Sequence, residues 1–189
     1  MTATTDRLPF TGDDEADRLI ATDPLALLIG FALDQQVTVQ KAFSGPAELQ
    51  RRIGHLDAAA IAAMDPGALA SVFRTPPALH RFPASMAGKV QALCASIATD
   101  YGNDAARIWT GAADGADLRR RLLALPGIGE MKAAAIIAIL GRRLGVTLPG
   151  MDAVMPNHPT LGDVDSPEAL AAYQAGKRAR KAEARAAKG

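Results

Sequence analysis

Leu125-Pro126-Gly127-Ile128-Gly129 is the stretch on which the reading of this chain turns. Its glycines permit backbone torsions closed to other residues and leave amide N–H groups uncovered. Before it, Leu118, Leu122 and Leu125 form one apolar stripe; after it, Ala133, Ile136, Ile137, Leu140 and Leu144 form another, and Gly145 supplies a stop. Both spacings are helical, so the quoted residues join two helices. The turn opens directly into the second helix, where several N–H groups and the positive end of the helix dipole can point at one anionic oxygen, a phosphate above all. The same string also suits a helix-helix turn that binds nothing. A dinucleotide-binding fingerprint does not fit, because it needs a preceding strand and a third glycine where Lys132 stands.

Working outward, Asp23-Pro24, Asp65-Pro66 and Ser166-Pro167 each place a capping side chain before a proline, whose missing N–H costs nothing at the first helical position. Helices are predicted over Pro24 to Leu33, Pro46 to Ile53, Ala58 to Met64 and Gly67 to Phe73. A longer one is predicted over Ser85 to Asp100, with Val90, Leu93, Cys94 and Ile97 on its buried face and Gly102 closing it. Nowhere do β-branched and polar residues alternate over a strand's length, so the fold is expected to be all α. Residues 1–145 read as the helical core. Residues 146–189 read as an irregular connection, marked by Pro149, Gly150, Pro156, Pro159 and Gly162, leading into a basic C-terminal helix that packs on the core or extends from it.

With 189 residues, 49% hydrophobic and 22% charged, the chain is neither disordered nor collagen-like. The longest apolar run, Leu25 to Leu33, is about half of what a bilayer helix requires, and the start of the chain is acidic; no membrane anchor or export signal is expected. Cys94 is the sole cysteine and sits on an apolar stripe, so it reads as core. His55, His80 and His158 show no metal spacing. These features suggest a reducing, cytoplasmic setting. The net charge of +1 hides a basic tail, Lys177, Arg178, Arg180, Lys181, Arg185 and Lys188 against Glu183. Such a tail suits a polyanion, or is simply a solvated helix.

The string LPGIG followed by an alanine- and isoleucine-rich helix resembles the helix-hairpin-helix of the endonuclease III and 3-methyladenine DNA glycosylase superfamily of base-excision repair. Two other stretches match in order. Leu27-Leu28-Ile29-Gly30 through Gln36, Val37 and Thr38 looks like that family's first core helix and the glutamine-containing loop after it. Ser85-Met86-Ala87 leading into Lys89 and Val90 resembles the start of its long middle helix. Together these cover roughly residues 20–145.

The resemblance implies a compact multi-helix glycosylase fold and a partner, duplex DNA, gripped by a backbone phosphate. Leu125, Gly127, Ile128 and Gly129 would make that grip, often with a monovalent cation, K+ or Na+, on the hairpin carbonyls. Gln36 matches the residue that fills the gap left by an extruded nucleotide, although a loop amide of this kind also serves to bond its own backbone. Lys132 is expected to add a phosphate contact. Arg119, Arg120, Arg121, Arg142 and Arg143 lie off the apolar stripes and could do the same, or stay solvated. The family's four-cysteine cluster is absent from this sequence, so no iron-sulfur cofactor is implied, and the chain is expected to act as a monomer.

The pattern also departs from the family. Bifunctional members carry a Schiff-base lysine two residues after the hairpin; here that position is Met131, and Lys132 is about 100° further round the helix. Efficient strand-cleaving lyase activity is therefore not expected. Members without the lysine use an aspartate beyond the second helix to stabilise the cationic sugar and orient water. Asp152 is the nearby candidate, 21 residues past Met131, in a loop where an aspartate also serves as a turn former. Asp34, beside Gln36, could face the same cleft, although its ordinary reading is a polar residue at a helix end. The expected function is a monofunctional glycosylase. The alternatives are a relative that binds bent or damaged DNA without chemistry, and a helical adaptor for another protein.

Overall fold

The computed structural model describes residues 4–188, and all regular structure among them is helical. The order is α1 (Asp14–Thr22), α2 (Pro24–Leu33), α3 (Val39–Ile53), α4 (Ala58–Ala63), α5 (Pro66–Arg74), α6 (Pro83–Asp100), α7 (Arg107–Thr110), α8 (Gly115–Leu123), α9 (Glu130–Arg142), α10 (Met151–Val154), a 3-10 turn (Leu161–Asp163) and α11 (Pro167–Ala186). The all-α expectation holds. Each predicted cap forms: Asp23 accepts from the N–H groups of Leu25 and Ala26, Asp65 from Ala68, and Ser166 from Ala169.

Several boundaries differ from the sequence reading. α3 begins at Val39 rather than Pro46, because Thr38 caps it by accepting from the Lys41 N–H at 3.1 Å. Pro46 thus sits inside the helix, where it removes one backbone bond and is buried against the core instead. α1 escaped notice because its acidic first turn hides a narrow buried face, Ala16, Asp17 and Ile20. α9 stops at Arg142, so Leu144 packs on the core from outside the helix.

The segment 146–165 is more ordered than a plain connection. Met151 and Leu161 are buried, and Gly162 lies so close to α9 that a Cβ there would meet Ala138 Cβ at 2.5 Å.

α2 is the hub. Every residue from Leu25 to Leu33 is buried, which is why the segment shows no polar face. Two close approaches lock α3 across it: a Cβ on Gly30 would stand 2.4 Å from the Phe43 ring, and one on Gly45 would stand 2.4 Å from Leu33 Cδ1. One apolar cluster runs from Leu8 near the start of the chain to Leu170 on α11. From Lys177 onward α11 is exposed on all sides. The only cysteine, Cys94, lies in this core, and burial pushes its thiol up to about 12. No helix among the described residues is long and apolar enough to cross a membrane.

Candidate nucleic-acid interface

α8 and α9 are the helices predicted on either side of the glycine turn. Leu125 and Ile128 anchor the turn by burying their side chains, and the Ile128 N–H donates to the Leu125 carbonyl at 3.2 Å. Between these anchors the chain must bend outward, and Gly127 takes φ +81°, the left-handed region that favours glycine. Gly127 and Gly129 are both exposed, and a Cβ on either would meet nothing within 4 Å. The bend therefore faces solvent.

Gly129 caps α9 with no side-chain bond, so the first turn keeps its donors open. The N–H groups of Gly127, Gly129, Glu130 and Met131 meet no acceptor among the described residues. They stand at the positive end of a 13-residue helix. The nearest acid is Glu130 itself, and both of its carboxylate oxygens accept from Arg119 Nη2 at 2.6 Å. Its charge is thereby offset across the turn.

The other arginines are largely occupied. Arg120 and Arg121 both pair with Asp117, and Arg121 also donates to the carbonyls of Arg107 and Gly111. Arg142 pairs with Asp163 and reaches the Pro156 carbonyl, while Arg143 Nε is buried without a partner among the described residues. Arg121 and Arg142 thus fasten helices to neighbouring segments.

At the same end of α9, Met131 is 77% exposed while Lys132 turns inward and buries its ammonium. Lys132 Nζ has no hydrogen-bond partner among the described residues. Burial holds it below the ordinary lysine value; nearby Asp34 opposes that shift, and Lys89 and Lys177 reinforce it. Asp34 closes α2, and burial pushes its carboxyl above the usual aspartate value, against the pull of Lys177 and Lys132. Lys89, in the second turn of α6, donates to Gln35 Oε1 at 2.7 Å. Tyr173 of α11 completes the group; its hydroxyl is raised by burial and by the charge of Asp34. A reciprocal amide pair between Gln40 and Gln174 holds α11 beside it.

The loop after α2 is fixed from beneath by His80, which is 1% exposed. Its Nε2 lies 3.1 Å from the Leu33 carbonyl and 3.0 Å from the Gln35 carbonyl, and its Nδ1 accepts from the Phe82 N–H. Carbonyls only accept, so Nε2 carries the proton and the ring is neutral. With the turn pinned there, Gln36 adopts φ +54° and is exposed. The backbone-bonding role open to this glutamine is not seen: no hydrogen bond holds its side chain among the described residues, and the anchoring polar contact is made by Gln35.

Asp152 is placed elsewhere. It lies exposed in α10, whose neighbour Met151 packs on Gly141 near the end of α9 and on Gly115 at the start of α8. The Gly115 N–H donates to the Pro149 carbonyl at 2.9 Å, tying the same two segments together. Gly141 is about 16 Å along the helix axis from Glu130 at 1.5 Å per residue. Asp152 and the hairpin therefore stand at opposite ends of the α8–α9 pair, whereas Asp34 and Gln36 belong to the hairpin end. The sequence leaves Asp34 open between the cleft beside Gln36 and an ordinary helix end, because a helix-end aspartate is common; the inward turn of Lys132 near it is a tertiary fact.

No group of histidine, cysteine and carboxylate side chains among the described residues is arranged to hold a metal ion. No known family model and no curated protein matches this chain.

Proposed function

We propose that this protein binds duplex DNA through the hairpin at residues 125–129 and releases a damaged or mispaired base by hydrolysing its N-glycosidic bond. The observation that carries the reading is the hairpin: an exposed left-handed glycine and a row of unpaired amides at a helix N-terminus, aimed at solvent. A phosphate oxygen satisfies these donors without any base-specific contact, as a protein that scans for lesions requires. A monovalent cation on the hairpin carbonyls is compatible with this grip. Gln36, exposed and unbonded, is the side chain offered to the gap left by an extruded nucleotide. Met131 in place of a lysine favours hydrolysis over strand cleavage.

The test is single-turnover base release from a panel of lesion-bearing duplexes, run beside binding to the same duplexes. Release of a base supports the enzyme. Binding without release favours a non-catalytic reader of damaged or bent DNA, the reading supported by the distance of Asp152 from the hairpin. Absence of any duplex binding leaves the hairpin as a structural turn.

A further inference from the structure

Two oppositely charged groups meet at the hairpin end of α9 without closing. Asp34 and Lys132 each feel the charge of the other, yet the carboxylate takes no hydrogen bond and the ammonium finds no partner among the described residues. A buried ammonium left without an acceptor is costly, and such a cost is tolerated where a ligand or water completes the site. The surrounding groups do not fill the gap. Lys89 is held by Gln35, and Lys177 and Tyr173 approach from α11. Asp34 is only partly covered, and its carboxylate takes no hydrogen bond among the described residues.

We infer that Asp34, and not Asp152, is the carboxylate that acts on the nucleotide held at the hairpin. The inference rests on the reading of this chain as a base-releasing protein and names the residue that performs the step. A water placed against Asp34 attacks the sugar carbon C1′ as the C1′–N bond breaks. The bonding pair leaves with the base nitrogen, which takes a proton from solvent, and the water's proton passes to the Asp34 carboxylate and then to solvent. The same negative charge stabilises the cationic sugar that develops on the way. Lys132 is a positioning residue: its ammonium, in the first turn of α9, adds to the charge of Lys177 in favouring the ionised form of Asp34 against the effect of burial.

The test compares two duplexes, one bearing a cationic pyrrolidine azasugar and one bearing a neutral tetrahydrofuran at the same place. The native protein is expected to prefer the cation by roughly tenfold to a hundredfold, the range for a hydrogen bond to a charged group. Asp34→Asn loses that preference while still binding the tetrahydrofuran duplex and unfolding as cooperatively as the native protein. Lys132→Met moves the pH at which the preference disappears upward, a shift that a purely structural lysine would not cause. A native protein without the preference, or a preference that survives Asp34→Asn and is removed by Asp152→Asn, overturns the assignment while leaving DNA binding intact. Failure to bind either duplex overturns the proposed function and this inference with it.

Discussion

The guanidinium of Arg119 reaches across the hairpin to both carboxylate oxygens of Glu130, one helix holding the first residue of the next. Glu130 suits a helix N-terminus, but an unpaired carboxylate there would repel a phosphate at the same amides. Arg119→Ala is expected to weaken duplex binding several-fold, and Glu130→Gln to restore most of the loss when combined with it. Fluorescence anisotropy on a labelled duplex measures both; a double variant no better than Arg119→Ala would mean that the arginine contacts DNA directly.

Gly30 and Phe43 set the spacing between α2 and α3. A Cβ 2.4 Å from a buried ring cannot be absorbed without moving one helix. Gly30→Ala should cost about 1–3 kcal/mol, the usual range for overpacking a filled core. Chemical denaturation reads this directly, and an unchanged midpoint would show that the two helices are more loosely joined.

Thr38 starts α3 eight residues ahead of the proline that marks a helix start in the sequence. Thr38→Ala should cost about 1 kcal/mol by removing the cap on the Lys41 N–H. Thermal unfolding shows the loss, and Thr38→Ser should recover most of it.

His80 makes stability depend on pH with a definite sign. Burial lowers its value in the folded protein below the ordinary 6.5, so as pH falls through 6.5 the unfolded chain takes up the proton first. Stability from this group is therefore complete above that value and declines toward the folded value. Asp34 works oppositely in a more acidic window, because its folded carboxyl is raised above 3.8 and neutralises first. Urea midpoints between pH 7.5 and 5.5 should fall for the native protein and fall less for His80→Asn, which should also be weaker at neutral pH by about 1–3 kcal/mol through loss of its buried bonds.

Much of this architecture is legible in the chain because its signals are local. Asp-Pro and Ser-Pro pairs announce helix starts, and the glycine turn between two leucine- and isoleucine-bearing stripes announces α8 and α9. What escaped reading was set by contacts distant in sequence. Pro46 falls inside α3 because the Thr38 cap and the packing of Gly45 against Leu33 of α2 set the helix from Val39 onward, and residues 151–163 acquire helical turns where they pack against Gly141 and Ala138. The candidate site divides in the same way. The hairpin glycines and the exposed Gln36 follow from local pattern, whereas the inward turn of Lys132 toward Asp34, and the remoteness of Asp152, depend on how α2, α9 and α10 are stacked.

The hairpin claim has its own stability and binding signature. Gly127→Ala must hold a Cβ at φ +81°, which costs roughly 1–2 kcal/mol of fold stability, and it crowds the phosphate position. The most direct measurement is duplex affinity as a function of salt for the native protein and for Gly127→Ala. The account predicts that native affinity falls linearly and steeply on logarithmic axes as counterions are displaced, and that the variant binds more weakly at every salt concentration while remaining folded. A native affinity indifferent to salt, or a folded Gly127→Ala that binds as well as the native protein, would contradict it.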